Sequence, residues 1–102
     1  METFYCAGRV NANGTIASSI GQVGFTVTRV SGFPTGVYQI TFNTPAPNND
    51  YVVSLSQLGA GNIKLWDSTA YSGPTTAARF HVVTSNQSWV LTDWAFHFSV
   101  VT

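Results

Sequence analysis

Few side chains in this sequence are able to do catalytic chemistry. Among 102 residues there are four carboxylates, Glu2, Asp50, Asp67 and Asp93, together with two histidines and one cysteine. General acid–base work and glycoside cleavage need two carboxylates placed across a cleft. The three aspartates each lie at the edge of a predicted strand, where aspartate commonly bonds nearby backbone amides as a turn or cap residue. With no Gly-x-Ser-x-Gly elbow and no phosphate-binding glycine loop, the sequence predicts a protein that is not an enzyme.

The two histidines and the cysteine do not make a metal site within one chain. Both His81 and His97 fall on the predicted outward faces of strands, and a zinc or iron site needs three or four protein ligands. Only copies of one histidine repeated around a threefold axis could supply such a set. We expect instead that both histidines bond polar neighbours at a subunit interface or in solvent, and we expect no metal and no cofactor. Cys6, the single cysteine, cannot form an intrachain disulfide and is predicted to be a small buried hydrophobe.

Composition excludes several classes of partner. Charged residues make up 8% of the chain, four basic and four acidic, where an average domain has about 25%. Four scattered cations cannot form the basic face that nucleic-acid binding requires. No apolar run approaches the roughly 18 residues that span a bilayer, and the N-terminus lacks an export signal, so we expect no membrane insertion. A surface this neutral is expected to be covered, either by other copies of the chain or by a larger assembly.

The pattern of apolar residues predicts one all-β domain over residues 1–102. Val, Ile and Thr together number 29, while Glu and Lys occur once each, and apolar positions alternate with a period of two rather than 3.6. We expect seven to eight strands in an antiparallel β-sandwich of jelly-roll type, because a single open sheet would leave one apolar face in water. The segment at 15–24 is the least regular and is predicted as a connection or a short edge strand. The predicted strands are 4–10, 25–30, 36–43, 51–56, 63–66, 78–84 and 94–101.

The last strand carries the clearest alternation and the predicted oligomer interface. Its inward side chains are expected to be Trp94, Phe96, Phe98 and Val100. The side chains facing outward are small or weakly polar, which permits close approach of another subunit. The predicted interface residues are Ala95, His97, Ser99 and Val101.

The aromatic residues divide into a predicted core and a predicted ligand site. Six of them follow the alternation and are expected to be buried: Tyr38, Phe25, Phe42, Phe80, Phe96 and Phe98. Trp66, Tyr71 and Trp89 fit the pattern less well. An exposed indole or phenol can stack on the apolar face of a sugar ring while amides bond its rim, so these three are predicted as stacking platforms, with Asn62 and Asn86 as hydrogen-bonding partners on neighbouring turns. The alternative is that these rings cap the ends of the sandwich.

The order of the segments resembles a known family. The opening "CAGRVNANGT", the central "GFTVTRVSGFPTGVYQITFNTPAPNNDYVVSLS" and the closing "DWAFHFSVV" are similar to the C-terminal domain at the tips of bacteriophage tail fibres and related adhesins. A similar strand–loop–strand sequence pattern occurs in H-type lectins. The resemblance implies a homotrimer of β-sandwiches in the virion, at the tip of a tail fibre, which binds host surface glycans or surface proteins through end loops and contacts other tail-fibre segments.

That resemblance leads to an expected function with two alternatives. We expect a receptor-binding module whose glycan contacts are shallow and weak, so that three copies gain avidity and salt has little effect. One alternative is a structural virion component without a ligand. The other is a polysaccharide-degrading fibre hydrolase, which would draw a carboxylate pair from Asp50, Asp67 and Asp93, within one subunit or across two.

Overall fold

A computed structural model describes residues 4–30, 35–66 and 75–102 of the chain. All regular elements in these ranges are strands, and there are eight of them. They are β1 (Cys6–Val10), β2 (Ile16–Ile20), β3 (Phe25–Arg29), β4 (Val37–Phe42), β5 (Val52–Leu58), β6 (Asn62–Trp66), β7 (Arg79–Ser85) and β8 (Ala95–Val101). The predicted all-β class is confirmed, and the irregular segment at 15–24 contains the edge strand β2.

The strands form two four-stranded antiparallel sheets that pack face to face. The first sheet has the order β2-β1-β8-β5 and the second has the order β3-β4-β7-β6. Aromatic contacts join the two sheets: the Phe25 and Phe98 ring centroids are 4.7 Å apart, and those of Tyr38 and Phe96 are 5.1 Å apart. The sandwich architecture is therefore as the alternation predicts.

Some connections are hairpins and others cross from one sheet to the other. In the described chain the pairs β1–β2, β3–β4 and β6–β7 are hairpins within one sheet. Other consecutive strands, such as β2 and β3 or β7 and β8, lie in different sheets. The finer jelly-roll assignment stays a prediction, because alternation identifies strands and their faces but carries no information about which strands are neighbours.

The core lies between the sheets and consists mainly of the predicted aromatics. Tyr38, Phe80 and Phe96 are fully buried, and the remaining three of the six predicted rings are at most 4% exposed. Cys6 is a free thiol buried among them, and burial raises its pKa to about 11. The role predicted for this cysteine, a small buried hydrophobe, is confirmed.

Asp93 connects distant parts of the sandwich instead of capping a local turn. Its Oδ1 accepts hydrogen bonds from Arg29 Nη2 at 2.5 Å and from the Gly36 backbone N at 2.6 Å. The Arg29 guanidinium also lies 4.4 Å from the centre of the Tyr38 ring. Burial, followed by the Asp93 charge, raises the pKa of Tyr38 to about 12. The prediction of a local cap is wrong for Asp93 because its partners lie far away in sequence.

Trp94 is also placed differently from the prediction. Strand β8 begins at Ala95, and the half-buried Trp94 lies just before it. Its ring lies against Gly59 so closely that a Cβ at that glycine would collide with it. Trp94 therefore packs on the β5–β6 turn, while Phe96, Phe98 and Val100 enter the core as expected.

Each sheet also has a face turned away from the core, and the two faces differ. The outer face of the first sheet carries outward side chains of β1, β2, β5 and β8, and Ser54, Ser99, Ala7 and Ile20 form one row across it. The outer face of the second sheet carries Gln39, His81 and Trp66 in one row and Val37, Val83 and Lys64 in the next. On the second face Val37, His81 and Val83 are buried.

Candidate functional site

The residues predicted to bind a ligand lie on or beside the outer face of the second sheet. Asn62 and Trp66 are the first and last residues of the edge strand β6. Asn86 and Trp89 belong to residues 86–94, which connect β7 to β8. The structure thus brings four of the five predicted residues to one side of the sandwich. The fifth, Tyr71, lies outside the described residues.

Trp89 combines an exposed indole with an unusual backbone conformation. Its φ of 63° is in the left-handed region, and among the described residues it is the one non-glycine with a positive φ. That conformation costs free energy for any residue with a Cβ. The side chain is also 61% exposed. Strained, exposed residues of this kind cluster at ligand-binding positions, which makes Trp89 the principal candidate contact.

Asn86 holds the turn that presents Trp89. Its Oδ1 accepts hydrogen bonds from the backbone N of Ser88 at 2.8 Å and of Val90 at 3.0 Å. Its backbone O accepts one from the Trp89 N at 3.1 Å. The sequence favours this turn because an asparagine side chain readily bonds backbone amides two or more residues ahead.

Asn62 links that turn to strand β6. Its Nδ2 donates to the Asn86 backbone O at 3.3 Å, and its own backbone O accepts from Ser85 Oγ at 3.2 Å. Both asparagines therefore position the loop. In the described part of the chain no residue bonds Asn62 Oδ1 or Asn86 Nδ2, so each amide keeps one group for a ligand.

A cleft of about 280 Å³ lies between the two indoles. It is lined by Lys64, Trp66, Val83, Ser85, Trp89 and Leu91. The Lys64 ammonium reaches both rings, with Nζ 5.1 Å from the Trp66 ring centre and 5.5 Å from the Trp89 ring centre. The half-exposed Trp66 also packs, with Leu91, against the small buried cluster of Val30, Val37 and Val83. One wall of the cleft is therefore part of a core, and the other wall is the exposed Trp89.

Lys64 is a site residue that the sequence-based prediction omitted. Because side chains alternate along a strand, Asn62, Lys64 and Trp66 must share one face of β6. This spacing could have indicated Lys64, because it places the single lysine of the chain between the predicted ligand-binding residues Asn62 and Trp66.

A second, more open cleft of about 330 Å³ lies between the β5–β6 turn and the segment that connects β7 to β8. Its lining residues are Ala60, Asn86, Gln87, Ser88 and Trp94. The Trp94 Nε1 atom is buried and bonds no residue of the described ranges. Sequence reasoning missed this residue because alternation assigned it to the core strand.

The histidines lie in unlike surroundings on opposite sides of the molecule. His81 is fully buried, with Nε2 3.3 Å from Gln39 Oε1 and no described partner for Nδ1. Burial, and then the nearby Arg79 charge, lowers its pKa. The expectation that His81 lies in solvent or at an interface is wrong, because this outer face is itself covered. His97 is exposed on the first sheet.

The predicted interface residues do share one surface. Ala95, His97, Ser99 and Val101 point outward from β8, since the residues between them are buried. His97 and Ser99 line a shallow depression of about 180 Å³ with Ser54 and Ser56 of β5. Exposed apolar side chains flank it on the same face, namely Ile20, Val52, Leu58 and Val101.

No protein-family model, curated protein or solved structure matches this chain. Across residues 4–30, 35–66 and 75–102, no three potential metal ligands cluster and no helix is long and apolar enough to cross a membrane.

Proposed function

We propose that this domain is a receptor-binding module of a tail-fibre tip or a related adhesin, and that it recognises a host surface glycan through the cleft between Trp66 and Trp89. The observation that supports this proposal most strongly is the exposure of Trp89 together with its backbone conformation. An indole that is 61% exposed on a backbone with φ of 63° lowers stability in two ways. A ligand contact explains why both costs are retained.

The chemistry of the cleft suits a sugar. The exposed face of Trp89 stacks against the apolar face of a pyranose, and the half-buried Trp66 forms the second wall. Outside the lining of that cleft, Asn62 and Asn86 offer an amide oxygen and an amide nitrogen that no described residue bonds, and Asn86 lines the second cleft. The cleft is small and open to solvent, so each contact with a glycan is weak.

Weak sites become effective when several act together, and the outer face of the first sheet supports association. It has serines at its centre and four exposed apolar side chains around them, with Arg9 as a charged residue beside His97 on the same face. Surfaces of this kind on a small domain normally pack against another chain. We therefore propose that the domain forms a homotrimer through Ala95, His97, Ser99 and Val101, which raises the avidity of three weak sites for a cell surface.

A glycan array probed with fluorescently labelled protein tests this proposal, with Trp89→Ala as the decisive variant. Loss of the stacking ring should weaken binding about tenfold or more, as expected for an aromatic contact residue. Val90→Ala is the matched control, since Val90 is 59% exposed on the same loop but does not line the cleft. It should bind as the unchanged protein does.

Trp66→Ala is a poorer test because Trp66 packs on the Val30–Val37–Val83 cluster. Its loss should lower the free energy of unfolding by about 2 kcal/mol, as for other partly buried large side chains. A protein that binds no glycan on the array but captures purified tail-fibre segments would refute the glycan proposal in favour of a structural virion component. Shortened polysaccharide products would identify a hydrolase.

A further inference from the structure

We propose that the sugar bound in the Trp66–Trp89 cleft is an acidic one, and that Lys64 pairs with its carboxylate. This inference rests on the proposed glycan-binding function and specifies its ligand class. It replaces the expectation that salt has little effect on binding, because that expectation assumed a site without charge.

Lys64 is a cation at the site, and no carboxylate of residues 4–30, 35–66 and 75–102 neutralises it. Among the described residues the one ion pair joins Arg29 to Asp93, and it involves the opposite edge strand, β3, of the same sheet. No described carboxylate pairs with Lys64. The Lys64 side chain is exposed, so its ammonium is accessible to a ligand that enters the cleft.

The two indoles fix where that charge lies. With Nζ at 5.1 Å and 5.5 Å from the two ring centres, the ammonium contacts both aromatic faces. These contacts do not use its N–H donors for hydrogen bonds, and an ammonium has three of them. A carboxylate at the edge of a sugar ring can therefore accept a hydrogen bond from Nζ while the ring lies against Trp89.

A sugar ring bound in the cleft would itself cover part of this ion pair. The cleft is lined mostly by apolar side chains, Val83, Leu91 and the two indoles. Charges partly withdrawn from water attract each other more strongly, and a charge-assisted hydrogen bond is about twice as strong as a neutral one. The site thus distinguishes an acidic sugar from a neutral sugar of the same shape.

An alternative role for Lys64 is structural. Strand β6 is at the edge of its sheet, and a lysine on an edge strand discourages pairing with other chains. That role predicts increased aggregation when the charge is removed, but it predicts no change in ligand preference.

The test measures affinity for matched pairs of oligosaccharides. The probes are a glucuronate-containing oligosaccharide and a sialylated oligosaccharide, each compared with its carboxyl-reduced form. The unchanged protein should bind at least one acidic form about tenfold more tightly than the reduced form, the effect of one charge-assisted hydrogen bond. Which acid is preferred identifies the source of the carboxylate.

Three variants distinguish the effect of the Lys64 charge from a general effect of positive charge on the same face. Lys64→Gln should bind the acidic and reduced forms equally, and Lys64→Arg should restore most of the preference. Arg79→Gln is the matched control: it removes one exposed positive charge from the same outer face, outside the cleft, and should keep the full preference. Raising the salt concentration should weaken binding of the acidic form alone.

The outcomes distinguish this inference from the proposed function. In one outcome the unchanged protein binds the acidic and reduced forms equally while Trp89→Ala still abolishes glycan binding. That result overturns the role of Lys64 and leaves the proposed glycan site in place. An equal loss of preference in Lys64→Gln and Arg79→Gln also overturns it, since a general charge effect would then be responsible. Absence of binding to any array glycan overturns both proposals.

Discussion

The outer faces of the two sheets have similar alternating sequence patterns, but they differ in how far their side chains are exposed to solvent. On the first sheet the outward His97 is exposed, whereas on the second sheet the outward His81 is fully buried. Both residues alternate with core aromatics along regular strands. The comparison shows that alternation decides which side of a sheet a residue occupies, but not whether that side is open to water.

The second face is covered in part by the chain that follows β7. Leu91 pairs with Ser85, and the Thr92 backbone N donates to the Thr84 backbone O at 3.2 Å. Leu91 and Trp66 then pack on Val37 and its neighbours to make a second, smaller core. The same segment displays Trp89 at its turn. The conformation of residues 86–94 therefore covers part of this face and also forms part of the candidate site.

The largest expected effect comes from exchanging the two histidines for alanine. His81→Ala should lower the free energy of unfolding by about 2–4 kcal/mol, because it leaves a cavity and removes the hydrogen-bond partner of Gln39 Oε1. In the dissociated monomer, where its side chain is exposed, His97→Ala should change it by less than about 0.5 kcal/mol, as for most surface positions. Urea denaturation of both variants as dissociated monomers measures this difference. Similar losses in the two variants would show that the faces do not differ as described.

A somewhat smaller effect, on self-association, is expected when a charge is placed on the outer face of the first sheet. Ser99 lies on β8 between Ala7 of β1 and Ser54 of β5, near the middle of the proposed interface. Ser99→Lys should weaken self-association by about 2 kcal/mol or more, because it buries like charges against one another. Sedimentation equilibrium measures the change, and Thr26→Lys, on an exposed position of the second sheet, is the control. An unchanged protein that is monomeric at micromolar concentration would refute the interface itself.

The smallest effect is a dependence of stability on pH that arises from the buried His81. Burial and then Arg79 lower the pKa of His81 from its ordinary 6.5. Above pH 6.5 the histidine is neutral in both states, and its full contribution to stability is present. As the pH falls below 6.5 the unfolded chain binds a proton that the folded chain does not, so the free energy of unfolding declines until the lowered pKa is reached.

Unfolding curves between about pH 7.5 and 5 test this dependence above the range where carboxylates titrate. His81→Gln should flatten the decline, while His97→Gln should retain it. An equal decline in all three proteins would mean that groups other than His81 are responsible.

Much of the framework could be predicted from the sequence because it depends on local alternation. The burial of Phe80, Phe96 and Phe98 follows from a period of two and from the cost of leaving large apolar rings in water. The outward direction of Ser99 follows from the same period. These properties need no knowledge of which strands are neighbours.

The candidate site could be predicted only in part. Trp66, Trp89, Asn62 and Asn86 could be selected because they did not fit the core pattern, and the structure brings them together. The partnership of Lys64 with both indoles could not be predicted, since it joins β6 to a loop more than 20 residues later in the chain. Trp94 was assigned to the core because its spacing to Phe96 is the same as that of its buried neighbours.

The all-β class, the faces of the strands, the aromatic core and the low content of charged residues follow from residue type and short-range periodicity, so they can be read from the amino-acid order. Folding of the whole chain is needed to define the strand order, the long-range role of Asp93, the burial of His81 and the cleft around Lys64. These features arise from contacts between segments far apart in the chain. Such contacts depend on how the sheets and loops pack as a whole, and no local pattern encodes them.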